Sequence, residues 1–213
     1  MPTPSQLLKN NVQWAEKRER QTPGFFSRLS EQQTPKYMWI GCSDSRVPAN
    51  EIVGLDPGEI FVHRNIANQV HHTDLNCLSG VQFAVDVLNV EHIIVTGHYN
   101  CGGVQAAIES QHFGIVDNWI RGIRDNYESR FEDFEGLSTP EISDRMSELN
   151  VIKQVHNLSH TRIVQNAWEQ GRALTIHGWV YRLSTGLIHD LNVSRNQEGD
   201  IESIHRLTPR LEK

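Results

Sequence analysis

The chain has 213 residues, of which 38% are hydrophobic, and carries a formal net charge of -6. This acidic balance, without a long block of Lys and Arg, speaks against nucleic-acid and membrane-surface partners and favours a small molecule. Residues 1–20 lack the apolar core of a signal peptide, and no run elsewhere is long enough to span a bilayer. We therefore expect one domain, residues 1–213, located in the cytoplasm.

Apolar residues recur at helical spacing in the first 29 residues, with a Thr22-Pro23-Gly24 breaker. This pattern predicts an N-terminal helical arm over residues 1–34. In the core, residues 35–191, we predict strands at 36–41, 60–63, 92–96, 173–181 and 186–191. Helices are predicted over 75–88, 104–109, 117–157 with a turn around 136–140, and 161–171. The alternation indicates an α/β fold, a central mostly parallel β-sheet flanked by helices. Residues 192–213 form a C-terminal segment.

Two short motifs carry the reactive side chains, Cys42-Ser43-Asp44-Ser45-Arg46 and His98-Tyr99-Asn100-Cys101. Each follows an apolar run, and ligand sites in open α/β sheets form at the carboxyl ends of the strands. Three cysteines are too few for a disulfide framework, whereas Cys, His and carboxylate side chains are zinc ligands. The motifs therefore indicate a zinc site in which two Cys and one His fill three positions. The fourth position is left open between a carboxylate and water.

Taken together, Cys-x-Asp-x-Arg and His-x-x-Cys-Gly-Gly resemble the motifs of the β-class carbonic anhydrases, which interconvert CO2 and bicarbonate. The similarity extends over residues 33–191 and includes the stretches FVHRNIAN at 61–68 and DLNCL at 74–78. Within the family, the chain resembles in particular a bacterial, bicarbonate-regulated subgroup. The resemblance implies that Cys42, His98 and Cys101 bind one Zn²⁺ per subunit, and that hydroxide on the zinc attacks CO2.

The charge of such a site gives Asp44 and Arg46 a role. Two thiolates and a neutral imidazole leave zinc with no net charge, so acidifying a bound water is harder than with three imidazoles. A carboxylate that accepts a hydrogen bond from the water favours hydroxide and orients it. Asp44 suits this role, and Arg46 can hold it ionised by a bidentate ion pair. Released from Arg46, Asp44 would bind zinc itself and close the site.

The resemblance also implies a pocket and a partner. By position, Gln33, Phe61 and Ile66 match residues that line an apolar CO2 pocket, and the Gly102 N–H matches a donor to bicarbonate. Phe83 stands where many relatives have Tyr, so a hydroxyl contact is missing there. In the family the pocket is shared between two subunits, which implies a homodimer or homotetramer with the arm embracing the partner.

A second anion site is implied by Trp39, Arg64 and Tyr181. In the bacterial subgroup these residue types form a non-catalytic bicarbonate site that favours the closed state, since a guanidinium pairs with the anion while indole N–H and phenol O–H donate to it. The mobile segment would be residues 47–50. Relatives commonly have an acid at its last position, where this chain has Asn50.

Two other functions use the same residues. One is a hydrolase of a related small electrophile such as carbon disulfide or carbonyl sulfide. The other is a non-catalytic, zinc-stabilised bicarbonate sensor in which Asp44 permanently closes the metal, although such a site has no use for the Asp44 and Arg46 pair. Cys77, on a predicted apolar helix face, is interpreted as a core residue. The histidines other than His98 are interpreted as structural or solvated.

Overall fold

Residues 1–34 form a helical unit in the computed structural model, which describes residues 1–31, 33–109 and 112–207. Helix α1 (Pro4–Gln21) begins behind Thr3, whose hydroxyl caps the first turn, and its first residue is a proline, which needs no hydrogen-bond donor there. The chain reverses at Gly24, where φ is 75°, and continues as α2 (Phe25–Glu31). The predicted helical arm is confirmed, with Gln32 outside the described residues.

Helix α1 keeps an apolar stripe on its surface. None of its residues is buried, and Trp14 packs edge-on against Phe26 of α2 with ring centroids 5.5 Å apart. Leu7, Leu8 and Val12 are each more than half exposed. An 18-residue helix with such a stripe ordinarily packs it against another surface.

The residues from 35 onward form an α/β unit around one sheet. Its strands are β1 (Tyr37–Cys42), β2 (Ile60–Asn65), β3 (His92–His98), β4 (Thr175–Arg182) and β5 (Leu187–Asp190). The strand order is β2-β1-β3-β4-β5, and every neighbouring pair is parallel except β4 and β5, which form an antiparallel hairpin. This sheet confirms the predicted fold class.

Helices and short turns connect and cover the strands. The helices are α3 (Ala49–Ile52), α4 (Leu75–Gln82), α5 (Gly102–Ile108), α6 (Ile115–Trp119), α7 (Arg121–Glu128), α8 (Thr139–Ser159) and α9 (Arg162–Glu169). A π turn spans Phe83–Val87, and 3-10 turns span Ile66–Asn68, Phe131–Phe134, Glu198–Asp200 and Ser203–His205. No helix in the described ranges is both long enough and apolar enough to cross a membrane.

Both faces of the central strands are covered, which explains their nearly continuous apolar sequences. On β1, Met38 and Ile40 join a core cluster with Val151 of α8, while Trp39 between them points into a separate cluster on the opposite face. Helix α8 lies close to the sheet because β3 carries Gly97, where a Cβ atom would stand 2.7 Å from Val151 Cγ2.

The structure corrects several predicted boundaries. The helix predicted over 75–88 leaves α geometry at Gln82. The turn predicted around 136–140 is present, with φ of Gly136 at 80°, but the stretch before it is divided into α6, α7 and a 3-10 turn. Strand β2 runs two residues further than predicted, since Arg64 and Asn65 pair with the end of β1. Residues 110, 111 and 208–213 lie outside the described residues, and the division into 1–34, 35–191 and 192–213 stays a prediction.

Candidate metal centre and active site

The two motifs meet because β1 and β3 are neighbours. Cys42 is the last residue of β1 and His98 the last residue of β3, so both side chains leave the sheet at the same edge. Cys101 directly precedes α5, and Asn100 before it adopts a left-handed conformation with φ at 57°. Asparagine tolerates this conformation better than most residues, and the tight turn returns Cys101 towards His98.

The three side chains form a buried group with the spacing of metal ligands. The exposed fractions of Cys42, His98 and Cys101 are 6%, 1% and 1%, and their ligand atoms all lie within 4.8 Å of one another. The two Sγ atoms are 3.9 Å apart. Two thiolates on a tetrahedral zinc ion, each with a Zn–S bond of about 2.3 Å, stand about 3.8 Å apart. The spacing therefore fits zinc.

The imidazole of His98 is oriented as a ligand. Its Nδ1 lies 3.0 Å from the Tyr99 carbonyl oxygen, which can only accept a hydrogen bond, so Nδ1 carries the proton. The lone pair is then on Nε2, which is buried and has no hydrogen-bond partner among the described residues. A backbone carbonyl that fixes the tautomer of a metal-binding histidine is a common arrangement. A buried nitrogen left without a partner is costly, and a metal ion satisfies it.

The environment of the thiols favours a thiolate at Cys42. Hydrogen bonds from the Cys101 thiol and the Asp44 amide lower the pKa of Cys42 to about 4, although burial opposes this shift. Conversely, the hydrogen bond to the Cys42 thiolate and burial raise the pKa of Cys101. The backbone amides of Gly103 and Val104 also point at Cys101 and favour its charged form. One thiolate is thus ready to bind a cation, which in turn promotes ionisation of the second.

Asp44 and Arg46 form the predicted bidentate ion pair. Arg46 Nε lies 2.9 Å from Asp44 Oδ1 and Nη2 lies 2.7 Å from Oδ2, while the Arg46 amide also donates to Oδ1. This guanidinium holds the pKa of Asp44 well below its usual range. Asp44 Oδ2 is 3.6 Å from His98 Nε2, yet the carboxylate is not part of the ligand group. In this structure Asp44 is directed to Arg46.

Arg64 has a role that the sequence did not reveal. Its Nε and Nη2 donate to the carbonyl oxygens of Cys42 and Asp44, at 2.8 and 2.5 Å. The guanidinium thereby supports the backbone of the first motif. Trp39 is fully buried with its indole N–H unpartnered in the described structure, and it shares an apolar cluster with Tyr181.

The predicted pocket residues are not all brought to this edge. The rings of Phe61 and Phe83 are tilted against each other, with centroids 5.9 Å apart. In the sheet, Phe61 of β2 lies opposite Met38 of β1. That level is four residues before Cys42, roughly 13 Å along the strand at about 3.3 Å per residue. Gly102 is exposed beside the centre. Gln33 belongs to the N-terminal unit.

The loop after β2 borders the centre and is held by buried amides. Ile66 reaches α5, since a Cβ atom on Gly103 would stand 3.0 Å from its side chain. Next in the chain, Ala67 is fully buried with φ at 58°, a conformation that costs energy for a residue with a Cβ atom. Its carbonyl accepts hydrogen bonds from Gln69 and Asn150, both nearly fully buried. These two amide side chains are not among the residues predicted from the sequence. The only indication in the sequence is that each is a polar residue close to apolar residues that face the core.

Known proteins share this sequence and fold. A family model described as carbonic anhydrase matches residues 37–188. A carbonic anhydrase of Emericella nidulans is 44% identical over 208 residues, which cover 97% of this chain and 91% of the relative. A carbonic anhydrase of Pseudomonas aeruginosa is 35% identical over 173 residues, or 78% of each chain.

Solved structures agree with these matches. A Coccomyxa β-carbonic anhydrase in complex with acetazolamide superposes with a TM-score of 0.89 at 38% identity, covering 94% of this chain and 91% of the other. A tetrameric β-carbonic anhydrase from Sordaria macrospora gives a TM-score of 0.87 at 34% identity, with 90% and 98% covered.

Proposed function

Since this chain belongs to the β-class carbonic anhydrases and catalyses CO2 hydration, we propose that it does so with one zinc ion held by Cys42, His98 and Cys101. The observation that carries this proposal is the buried Nε2 of His98, which has no hydrogen-bond partner in the described part of the chain, beside two thiols 3.9 Å apart. When bound, zinc supplies a water acidified enough to act as the nucleophile near neutral pH.

Asp44 orients that water by accepting one of its hydrogen bonds. Because Arg46 binds both carboxylate oxygens, Asp44 stays ionised and is held away from the metal position. If Arg46 releases it, Asp44 can move the short distance to become a fourth ligand, since Oδ2 already lies 3.6 Å from His98 Nε2. The ion pair is therefore a latch between an open and a closed site.

The substrate pocket is completed by a second copy of the chain. Ile66 and Gly102 lie beside the centre of their own chain. Phe61 lies further back along β2, and Phe83 of the π turn lies beside Phe61. We assign Phe61, Phe83 and Gln33 to the neighbouring subunit's pocket, as the resemblance implies.

A homodimer or homotetramer follows from this shared pocket. The exposed apolar stripe of α1 and the tetrameric Sordaria relative support an oligomer. Light scattering on the purified chain should give twice or four times its 24.4 kDa mass. A monomer with full activity would contradict the shared pocket.

Bicarbonate binding at Trp39, Arg64 and Tyr181 favours the closed site, as in the bacterial, bicarbonate-regulated subgroup. The indole N–H of Trp39 is buried and has no partner within the described ranges, which supports a hydrogen-bond acceptor at this position. The adjoining segment ends at Asn50, whose side-chain amide donates to the Asp56 carbonyl at 3.1 Å, so the segment has a second anchor. Trp39→Phe should weaken inhibition by bicarbonate with zinc retained, and unchanged inhibition would contradict this site.

A reducing compartment suits this centre, and we place the enzyme in the cytoplasm. Cys42 and Cys101 stand close together as free thiols, and their oxidation would remove both sulfur ligands. Fractionation of the source cells, followed by an activity assay of each fraction, tests the location.

Stopped-flow measurement of CO2 hydration tests the function itself. The zinc-replete chain should hydrate CO2 with a rate that rises with pH, and carbonyl sulfide and carbon disulfide should be turned over far more slowly. Absence of CO2 hydration even at alkaline pH, in a sample with one zinc per chain, would overturn the proposal.

A further inference from the structure

A second group of ligand-type side chains lies where α8 meets the C-terminal segment. His160 is the residue that follows α8, and Glu202 and His205 belong to the segment after the Glu198–Asp200 turn. Their ligand atoms lie within 4.8 Å of one another. The rings of His160 and His205 stack, with centroids 4.0 Å apart and planes at 16°. The fold thus brings together three possible metal ligands from two segments that are far apart in the sequence.

The backbone that carries His205 is fixed by α9. Gln165, which is fully buried, donates to the carbonyl oxygen of His205 at 2.9 Å and accepts from the amide of Leu207 at 2.7 Å. Arg162 also donates to the Leu207 carbonyl at 2.9 Å. The position of the His205 main chain is therefore set before any ligand arrives, which lowers the entropy cost of binding.

The charges around the group leave room for a cation. His160 is partly buried, and its imidazole lies between those of His205 and His156, with ring centroids 4.0 and 6.2 Å away. One turn earlier on α8, His156 Nε2 accepts a hydrogen bond from Arg195, and the same guanidinium donates to the Asp200 carbonyl. The Arg195 guanidinium thus donates to His156 and Asp200 rather than to the three ligand-type side chains. Glu202 supplies the negative charge; its side chain is 72% exposed, and its Oε2 lies 3.9 Å from His205 Nε2.

We propose that His160, Glu202 and His205 bind a second divalent cation of the zinc class, separate from the catalytic centre. Two imidazoles and a carboxylate are a common ligand set for zinc and its neighbours, whereas Mg²⁺ and Ca²⁺ prefer oxygen ligands. Binding requires the stacked rings to tilt until both nitrogens aim at one point, with water completing the coordination. The ion would tie the C-terminal segment to the end of α8.

A third ligand-type group, His63, Asp74 and Cys77, has a weaker case. Cys77 is fully buried in the main core cluster, and burial raises the pKa of its thiol to about 12, so it stays protonated. Asp74 is already occupied as the cap of α4, where it accepts the Asn76 amide. Access and protonation both oppose metal binding there.

Metal titration of the untagged chain, already loaded with one zinc, tests the proposed site. Equilibrium dialysis against Zn²⁺ should show one further equivalent per chain. His205→Ala and Glu202→Gln should each weaken this second equivalent at least tenfold, and both residues lie at the surface, so the fold is retained. His112→Ala is the matched control, because His112 is an exposed histidine outside the ligand-type groups of the described residues.

The proposal is separable from the proposed function. CO2 hydration should stay at the wild-type rate in H205A and E202Q, and dialysis against Co²⁺ should give the same stoichiometry as Zn²⁺. No second equivalent would overturn the site. A second equivalent whose affinity survives both substitutions would overturn it equally, since the ion would then be bound elsewhere.

Discussion

Two of the three ligand-type clusters among the described residues differ in nearly every physical respect. Cys42, His98 and Cys101 are almost fully buried at the ends of two neighbouring strands. The second cluster, His160, Glu202 and His205, lies at the end of α8. The side chain of His205 is 46% exposed and that of Glu202 is 72% exposed. The buried cluster combines two thiols with an imidazole whose tautomer is fixed by a backbone carbonyl, and the exposed one combines two imidazoles with an exposed carboxylate.

This difference separates chemistry from attachment. In a buried site, charges interact strongly, and few groups suffice to orient a reacting molecule. At the edge of this site Arg46 in turn holds Asp44 through both carboxylate oxygens. In an exposed site, solvent screens the same interactions, so an ion there contributes chiefly by joining two segments. We therefore expect changes at the first cluster to abolish catalysis and changes at the second to leave it intact.

The largest effect is expected from Cys101→Ser. In the H205A/E202Q background, which lacks the exposed cluster, removal of one buried sulfur ligand should eliminate stoichiometric zinc, measured by atomic absorption, and reduce CO2 hydration to the uncatalysed rate. His205→Ala is the matched change in the other cluster and should retain both. A C101S enzyme that keeps its zinc and its activity would mean that the buried cluster is not the catalytic one.

A smaller loss is expected from Asp44→Asn, which retains the metal ligands but loses the charged acceptor for the nucleophilic water. The value of kcat/KM should fall by about 10²- to 10⁴-fold, the usual contribution of such a group. The kcat/KM of Arg46→Lys should lie between those of the wild type and Asp44→Asn, because lysine cannot bind both carboxylate oxygens. Arg121→Lys offers a control, since Arg121 pairs with Asp125 in an exposed pair on α7. Equal effects at Arg46 and Arg121 would contradict the latch.

Cys77→Ala should affect stability and leave metal binding unchanged. Cys77 is fully buried in the main core cluster, so truncation leaves a small cavity and should lower the free energy of unfolding by about 1 kcal/mol. Urea denaturation measures this change, and zinc content checks the comparison with Cys101. Loss of zinc in C77A would contradict this comparison, because Cys77 would then contribute to zinc binding as Cys101 does.

The smallest effect concerns a histidine outside both metal clusters. Burial and the neighbouring His92 lower the pKa of His177, whose ring also faces Ser194 and Asp190. The folded state therefore disfavours protonation, so the stability that His177 contributes is present above pH 6.5 and is lost as the pH falls below it. His177→Gln should flatten the fall in stability between pH 7 and pH 5. An unchanged profile in urea denaturation would contradict this assignment.

Much of the fold and of the buried cluster was predictable from local patterns. Apolar runs that end in polar motifs gave the parallel strands, and the carboxyl-edge rule placed Cys42 beside His98. The two-residue spacing of Asp44 and Arg46 predicted their ion pair, because both side chains extend from one short loop.

The rest depends on register and on packing between distant segments. The contact of Arg64 with two carbonyls follows from its pairing level opposite Gly41, which no periodicity specifies. The strained Ala67 is stabilised by Asn150, which is more than 80 positions away. Likewise, His160 meets His205 where Gln165 and Arg162 of α9 anchor the C-terminal segment.

X-ray absorption at the zinc edge tests the central claim most directly. The sample is an H205A/E202Q chain that carries one zinc, so that the exposed cluster cannot contribute. We predict two sulfur scatterers at about 2.3 Å and nitrogen or oxygen scatterers at about 2.0–2.2 Å. A shell of nitrogen and oxygen alone, or of four sulfurs, would contradict a catalytic centre built from Cys42, His98 and Cys101.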